Sequence, residues 1–358
     1  MEPPVRQTHA RRDDDGAIRA TDSDAALARL SAVSKHYLSD PFIKSFVSRP
    51  HLQQPRPPLI NIGTYVRSEG LDALVDQWLE LAQADGTQAQ VVSLGAGSDT
   101  RFWRIATGPR RDALRAYVEL DFAENTIKKA MAIRKSKELS AVLGPPENVT
   151  LAGGGTTLHS PIYHLLPADL RLPPSEVLTP LLSTPTPGSS EPLLSPSHPT
   201  LLLFECVLVY MAPAASSRLV QWFTGYFESG VLGGLIYEMY GLEDNFGNVM
   251  KDNLRARGIS LPGVEPFTTF ASVQSRFAQY GFVTSHALSL REIRRSYISP
   301  AERERISQLE MLDEIEELEL VLEHYAISWG VQLPQNKDTL KARWDTWGLV
   351  PYGPAKGV

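Results

Sequence analysis

The sequence predicts an α/β protein built on a mostly parallel, doubly wound sheet. Three observations carry this. Short strand-like runs (Gln90-Val91-Val92-Ser93-Leu94, Ala116-Tyr117-Val118-Glu119-Leu120, Leu201-Leu202-Leu203-Phe204-Glu205 and Gly233-Gly234-Leu235-Ile236-Tyr237-Glu238) alternate with segments of helical period. The third run is almost wholly apolar, as suits a strand covered on both faces. The first ends in Gly95-Ala96-Gly97-Ser98-Asp99-Thr100, a glycine turn leading into a helix start.

Taken in order, residues 1–23 are polar, with Arg11-Arg12 beside Asp13-Asp14-Asp15, and read as a disordered tail. Residues 24–85 read as an N-terminal helical cap. Ala25, Leu27, Leu30 and Val33 set an apolar stripe, and a short second helix follows Pro41. A proline-rich connector over residues 50–59 leads to a helix from Tyr65 to Ala84, with Leu71, Leu74, Val75, Trp78 and Leu79 on one face. Residues 86–358 form the sheet domain. In it, a helix is predicted from Asn125 to Leu139, a strand from His159 to Leu166 leading into Ala168-Asp169-Leu170, and a helix from Ser216 to Phe227. The stretch 173–199 holds eight prolines with many Ser and Thr, and reads as a largely disordered surface insertion. A helical region over about 242–265 contains a helix from Phe246 to Arg257. A long acidic helix is predicted from Ala301 to Ser328, because Ile306, Leu309, Leu312, Ile315, Leu318, Leu322 and Tyr325 recur every three or four residues.

The composition narrows the function. With 358 residues and 42% hydrophobic, the chain can fill one large domain or two modest ones. Lys plus Arg is 35 against 41 Asp plus Glu, a net charge of -6, which argues against a broad nucleic-acid coat. The one cysteine, Cys206, permits no intrachain disulfide and no Cys-rich zinc cluster, and suits a reducing compartment. The longest apolar run, Leu201 to Met211, is interrupted by Glu205 and is short for a membrane span. The expectation is a monomer in the cytosol or nucleus, with no metal and no membrane partner.

The glycine turn locates the chemistry. Gly95 and Gly97 permit a sharp turn and let a ligand approach backbone N–H groups. Thr100 stands where a dinucleotide fingerprint needs a third glycine, and no phosphate-loop lysine follows. This weakens an NAD-dependent oxidoreductase. Asp121 ends the second strand, where a carboxylate accepts both hydroxyls of a ribose; a helix N-cap is its plainer reading. Asp169 and Glu205 follow the next two strands, so the four positions share one crevice at the carboxyl edge of the sheet. That order fits a nucleoside cofactor without pyrophosphate, the shape of S-adenosylmethionine. Asp169 would take the adenine amino group and the Leu170 N–H a ring nitrogen. Arg67 or Lys35 would pair with the methionine carboxylate, and Glu205 or the glycine-turn carbonyls with its ammonium. By composition alone, each basic residue is equally a surface charge.

Several segments together resemble the leucine carboxyl methyltransferases: SKHYLSDPFIKSFV, PPLINIGTYVRSEGLD, VVSLGAGSDTRFWR, YVELDF, LLPADLR, PTLLLFECVLVYM, IYEMYGLEDNFGNVMKDNLRARGISLPGVE and LEMLDEIEELELVLEHYAISW, spanning Ser34 to Trp329. The resemblance implies a class I S-adenosylmethionine-dependent methyltransferase fold. It implies cofactor roles for Lys35, Arg67, Gly95, Asp121, Asp169, Leu170 and Glu205. It also implies a reaction, methylation of the C-terminal leucine carboxyl of the protein phosphatase 2A catalytic subunit. The length and bias of stretch 173–199 depart from the family pattern. A terminal carboxyl of pKa about 3.5 is already ionised at neutral pH, so no general base is required. Arg67 would influence both cofactor and substrate. Tyr210 would line the substrate channel, or simply pack. Met211, Phe246 and Met250 are candidate linings of a leucine pocket, and Lys251, Arg255 and Arg257 a candidate contact for an acidic tail, or a solvated face. The rivals are a tRNA-base carboxyl methyltransferase, whose relatives carry a repeat domain that this chain has no room for, a small-molecule O-methyltransferase, and a phosphatase-binding protein without turnover.

Overall fold

Within the residues described by the structure, a computed structural model covering 8–183, 191–334 and 338–352, nine strands form one sheet. The strands are β1 Ala89–Leu94, β2 Leu114–Asp121, β3 Thr150–Ala152, β4 Thr157–His159, β5 Tyr163–Pro167, β6 Thr200–Glu205, β7 Leu232–Met239, β8 His286–Ser289 and β9 Tyr325–Gln332. They lie in the order β3-β4-β5-β2-β1-β6-β7-β9-β8. The five central strands, β5 to β7, are parallel, while β9 runs antiparallel between β7 and β8. The chain therefore winds outward from β1 through β2 to β5, then returns to the other side of β1 with β6. The doubly wound expectation holds.

Alternation along the strands explains the two cores. Val91, Tyr117, Leu201, Leu203 and Leu235 face one apolar layer, and Val92, Val118, Leu202, Phe204 and Ile236 the other. The first layer is filled by the helices α3 (Pro58–Ala84), α4 (Arg101–Ala106), α5 (Ala123–Lys135) and α6 (Lys137–Val142). Trp78 of α3 sits at its centre, in ring contact with Trp344 and Trp347. The second layer is filled by α7 (Pro174–Leu182) and α8 (Pro213–Tyr226), through Leu178, Leu182, Leu219 and Phe223.

Three expectations need correction. Residues 1–7 of the predicted tail lie outside the described residues, but helix α1 runs from Thr8 to Ser34 and from Asp15 onward is tied by ion pairs to helix α5 and to Arg171 in the loop after β5. Asp15, the last of the polar run that suggested disorder, is an anchor, together with Arg19 and Asp22. The Pro-rich stretch contains α7, and Leu193 and Leu194 beyond it are buried in the second core; residues 184–190 lie outside the described residues. The predicted long acidic helix is two short helices, Pro300–Ser307 and Ile315–Glu323, followed by β9. His324 closes the second of these helices with a ring contact to the Leu320 carbonyl at 2.8 Å. Tyr325 to Gln332 then pairs with β7 residue for residue, a tertiary contact that overrides the helical spacing. Helix α9, Asn245–Arg255, matches its prediction.

Candidate functional site

The strand order reverses between β1 and β6, and in open α/β sheets ligands bind outside the strand ends at such a point. The glycine turn leaves β1 there. Gly95 has φ +67°, and a Cβ on it would lie 2.6 Å from Val207 Cγ2. Gly97 has φ +45° and donates its N–H to Asp121 Oδ2 at 2.7 Å. The other oxygen of Asp121 accepts the Phe122 N–H at 2.6 Å and the Asn125 amide at 2.9 Å. Asp121 thus braces the turn and also anchors the start of α5. Burial raises its pKa while these bonds oppose the rise.

Glu205, the last residue of β6, meets Arg67 of α3 across the gap, with Arg67 Nε donating to Oε1 at 2.6 Å. The Arg67 guanidinium also lies 4.5 Å from the ring centroid of Tyr237, which stacks on Tyr325 at 5.4 Å. Burial alone would lower the Arg67 pKa, but Glu205 beside it raises it above the usual value. The next residue, Cys206, has a left-handed φ of +56°, a strained conformation that turns the chain sharply after Glu205. Behind Glu205 sits Arg101, only 2% exposed. It donates to Asp99 at 2.5 Å and Asp72 at 2.8 Å, and its Nη1 lies 3.4 Å from Glu205 Oε2. Arg104 bonds Asp72, and Arg29 bonds Asp40 at 2.5 Å and the Ser68 hydroxyl at 3.0 Å. Burial works against ionised Asp72, but Arg104 and Arg101 hold its carboxyl well below the usual range. The cations Arg29, Arg67, Arg101 and Arg104 balance the carboxylates Asp40, Asp72, Asp99 and Glu205. Beneath the turn, burial pushes the Glu119 carboxyl up to about 7, against the pull of Lys129 at 2.5 Å.

Asp169 and Leu170 follow β5 on the other flank of Asp121. Asp169 accepts from Arg171 at 2.7 and 2.8 Å, and Arg171 in turn pairs with Asp15 of α1 at 2.5 Å. The same helix sends Asp22 into the glycine turn. Its Oδ1 accepts the Ser98 N–H at 2.6 Å, and its Oδ2 accepts the Ser98 hydroxyl at 3.0 Å and lies 2.8 Å from Lys128 Nζ. Helix α1 therefore runs across the mouth of the crevice.

The structure thus brings together Gly95, Gly97, Asp121, Asp169, Leu170, Arg67 and Glu205. Lys35 Nζ pairs with Glu310 at 3.1 Å. Tyr210 lies in the turn Leu208–Tyr210 after β6, near enough to Arg67 and Thr21 to feel both; burial raises its pKa far above the usual phenol value, so it is neutral. Beside it Met250 joins Val209, Met239, Leu242 and Val264 in an apolar group. Met211 is buried instead in the second core, and Phe246 packs on His324 at 4.8 Å. The candidate basic patch is locally neutralised: Lys251 pairs with Glu243, Arg255 with Asp252 and Arg257 with Asp24.

Sequence reasoning missed Arg101, Asp72, Asp99, Arg29, Tyr237 and Asp22. For the helix the signal was present, since Asp15, Arg19 and Asp22 recur at spacings of four and three, one helical face. For the arginine network no local pattern pairs residues so far apart. Among the described residues, no group of three or more His, Cys, Asp and Glu is arranged to hold a metal ion, and no helix is long and apolar enough to cross a membrane.

The chain matches the family described as leucine carboxyl methyltransferase over residues 17–224. It is 45% identical over 357 residues to leucine carboxyl methyltransferase 1 of Cryptococcus neoformans var. neoformans, covering 93% of this chain and 98% of the relative. It is 39% identical over 342 residues to the Aspergillus fumigatus protein of the same name (91% and 85% covered) and 33% identical over 321 residues to that of Bos taurus (89% and 91%). Among solved structures, a putative methyltransferase from Thermobifida fusca is similar at 15% identity and a TM-score of 0.46, over 88% of this chain and 94% of that one.

Proposed function

We propose that this chain, which belongs to the leucine carboxyl methyltransferase family, methylates the α-carboxyl of the C-terminal leucine of the protein phosphatase 2A catalytic subunit, giving a methyl ester and S-adenosylhomocysteine. The observation that carries the reading is the Arg67–Glu205 pair at the switch point, beside the glycine turn and Asp121. A cation and an anion side by side match the two poles of a free amino-acid end. An acid at the end of β2 matches a ribose, and Asp169 with Leu170 beyond it match an adenine edge. This donor set fits S-adenosylmethionine, which supplies the electrophilic methyl group.

The work left to the protein is positional. The substrate carboxylate is ionised well below neutral pH, so no residue has to remove a proton, and Tyr210 with its raised pKa stays a neutral wall. Arg67, seated on Tyr237, orients charge toward the site. Helix α1 and the apolar group around Met250 exclude water, which would otherwise compete for position and weaken each electrostatic contact. The apolar group is also the natural seat for a leucine side chain. The reading carries with it a monomeric enzyme in the cytosol or nucleus, checked by light scattering and by imaging the tagged chain.

The test is methyl transfer from labelled S-adenosylmethionine to purified phosphatase 2A core enzyme, beside a copy lacking the terminal leucine. Base-labile label on the intact protein alone is the expected result. Label on both, or on neither while the cofactor binds, rejects this acceptor.

A further inference from the structure

Arg67 and Glu205 oppose each other directly, and each has a second hold. Arg67 rests on the Tyr237 ring, which is backed by Tyr325. Glu205 has its Oε1 on Arg67 and its Oε2 turned to Arg101 Nη1 at 3.4 Å. A ligand end bearing an ammonium and a carboxylate is itself neutral. Placed between the two side chains, it exchanges one ion pair for two and leaves the charge balance of the network intact. Each side chain then depends on its second hold. For Arg67 that is an aromatic face. For Glu205 it is Arg101.

Arg101 is built for the task. Asp99 and Asp72 fix its guanidinium from two sides, and burial at 2% exposure leaves it no alternative position. A planar fork with several donors can serve three carboxylates at once, whereas an ammonium is a single point charge. We infer that Arg101 is a positioning residue that holds the Glu205 carboxylate for the ammonium of the cofactor's amino-acid end, without touching the ligand itself. Its role is to keep Glu205 oriented in the state where Arg67 has turned to the ligand carboxylate. The inference rests on the S-adenosylmethionine reading above.

Two ligands separate this role from a structural one. S-adenosylhomocysteine carries the zwitterionic end, and 5′-methylthioadenosine has the same nucleoside without it. Calorimetric titration of the wild type, Arg101→Met and Arg101→Lys with both ligands gives the comparison. In Arg101→Met, affinity for S-adenosylhomocysteine is expected to fall about tenfold or more while that for methylthioadenosine holds. Arg101→Lys is expected to recover part of the loss, because it restores charge without the fork. Methylthioadenosine binding in the same sample reports that the crevice is folded. Parallel loss of both ligands in both variants, or loss of neither, overturns the inference. A wild type that binds neither ligand removes the cofactor reading itself, and this inference with it.

Discussion

Replacing Asp22 by alanine is expected to loosen the amino-terminal half of α1 from the glycine turn. The carboxylate accepts the Ser98 N–H at 2.6 Å and the Ser98 hydroxyl at 3.0 Å, and it pairs with Lys128 at 2.8 Å. Hydrogen bonds to a charged group contribute about 1.5 to 3 kcal/mol each at most, and partners in one cluster do not add fully. Lys128 is half exposed, so its share is about 1 kcal/mol or less. A local loss of about 2 to 3 kcal/mol follows, which is roughly a 30- to 150-fold fall in hydrogen-exchange protection. The assay is exchange mass spectrometry on peptides covering residues 15–24 and 95–100, with the urea midpoint recorded as a control on global unfolding. Asp22→Asn keeps an acceptor for Ser98 and should fall between. The glycine side offers a cross-check. A Cβ on Gly97 would lie 2.6 Å from Asp22 Oδ1 at a φ of +45°, so Gly97→Ala should open the same two peptides. Unchanged exchange in both peptides for Asp22→Ala, at an unchanged midpoint, would refute the reasoning that this helix is held at the crevice by its carboxylate.

Other perturbations test the remaining claims. Tyr210→Phe should keep kcat within about threefold, because the carboxylate nucleophile needs no base; a loss of a hundredfold or more would assign the hydroxyl a chemical role. Gly263→Ala should cost about 1 to 3 kcal/mol in urea unfolding, since its Cβ would press on the Leu208 carbonyl and displace the turn that carries Tyr210; an unchanged midpoint would contradict the packing. His164 is buried with its Nδ1 2.9 Å from that of His159, and burial, then the His159 charge, pushes its pKa down to about 3. Its unfolded value is near 6.5, so the stability it confers is complete above pH 6.5 and is lost as pH falls toward 3, on the order of 3 to 5 kcal/mol in all. His164→Phe should flatten the acid limb of the urea midpoint plotted against pH, and parallel limbs for the two proteins would show that this pair does not govern acid unfolding.

The five parallel central strands and the position of the crevice were legible in the sequence. Apolar runs such as Leu201 to Phe204 are local statements about burial on both faces, and the glycines, Asp121, Asp169 and Glu205 stand at strand ends, where topology converges. Arg67 gained its role from resemblance, and the structure supplied the geometry. What only the tertiary structure decided is which charge meets which. Lys35 and Arg67 look alike as sequence, yet one pairs with Glu310 and the other with Glu205. Arg101 looks like an ordinary helix-start residue until three carboxylates from α3, the glycine turn and β6 close on it. The polar residues of α1 suggested disorder because a polar segment has no core of its own, and their partners Arg171, Glu124 and Lys128 lie more than a hundred residues along the chain. The helix predicted through Tyr325 failed for a related reason, since an apolar spacing of three or four says that residues are buried but not against what, and from Tyr325 onward the partner was β7. Periodicity is a property of neighbours in sequence and survives without a fold, whereas an ion pair across the sheet exists only once the chain has closed.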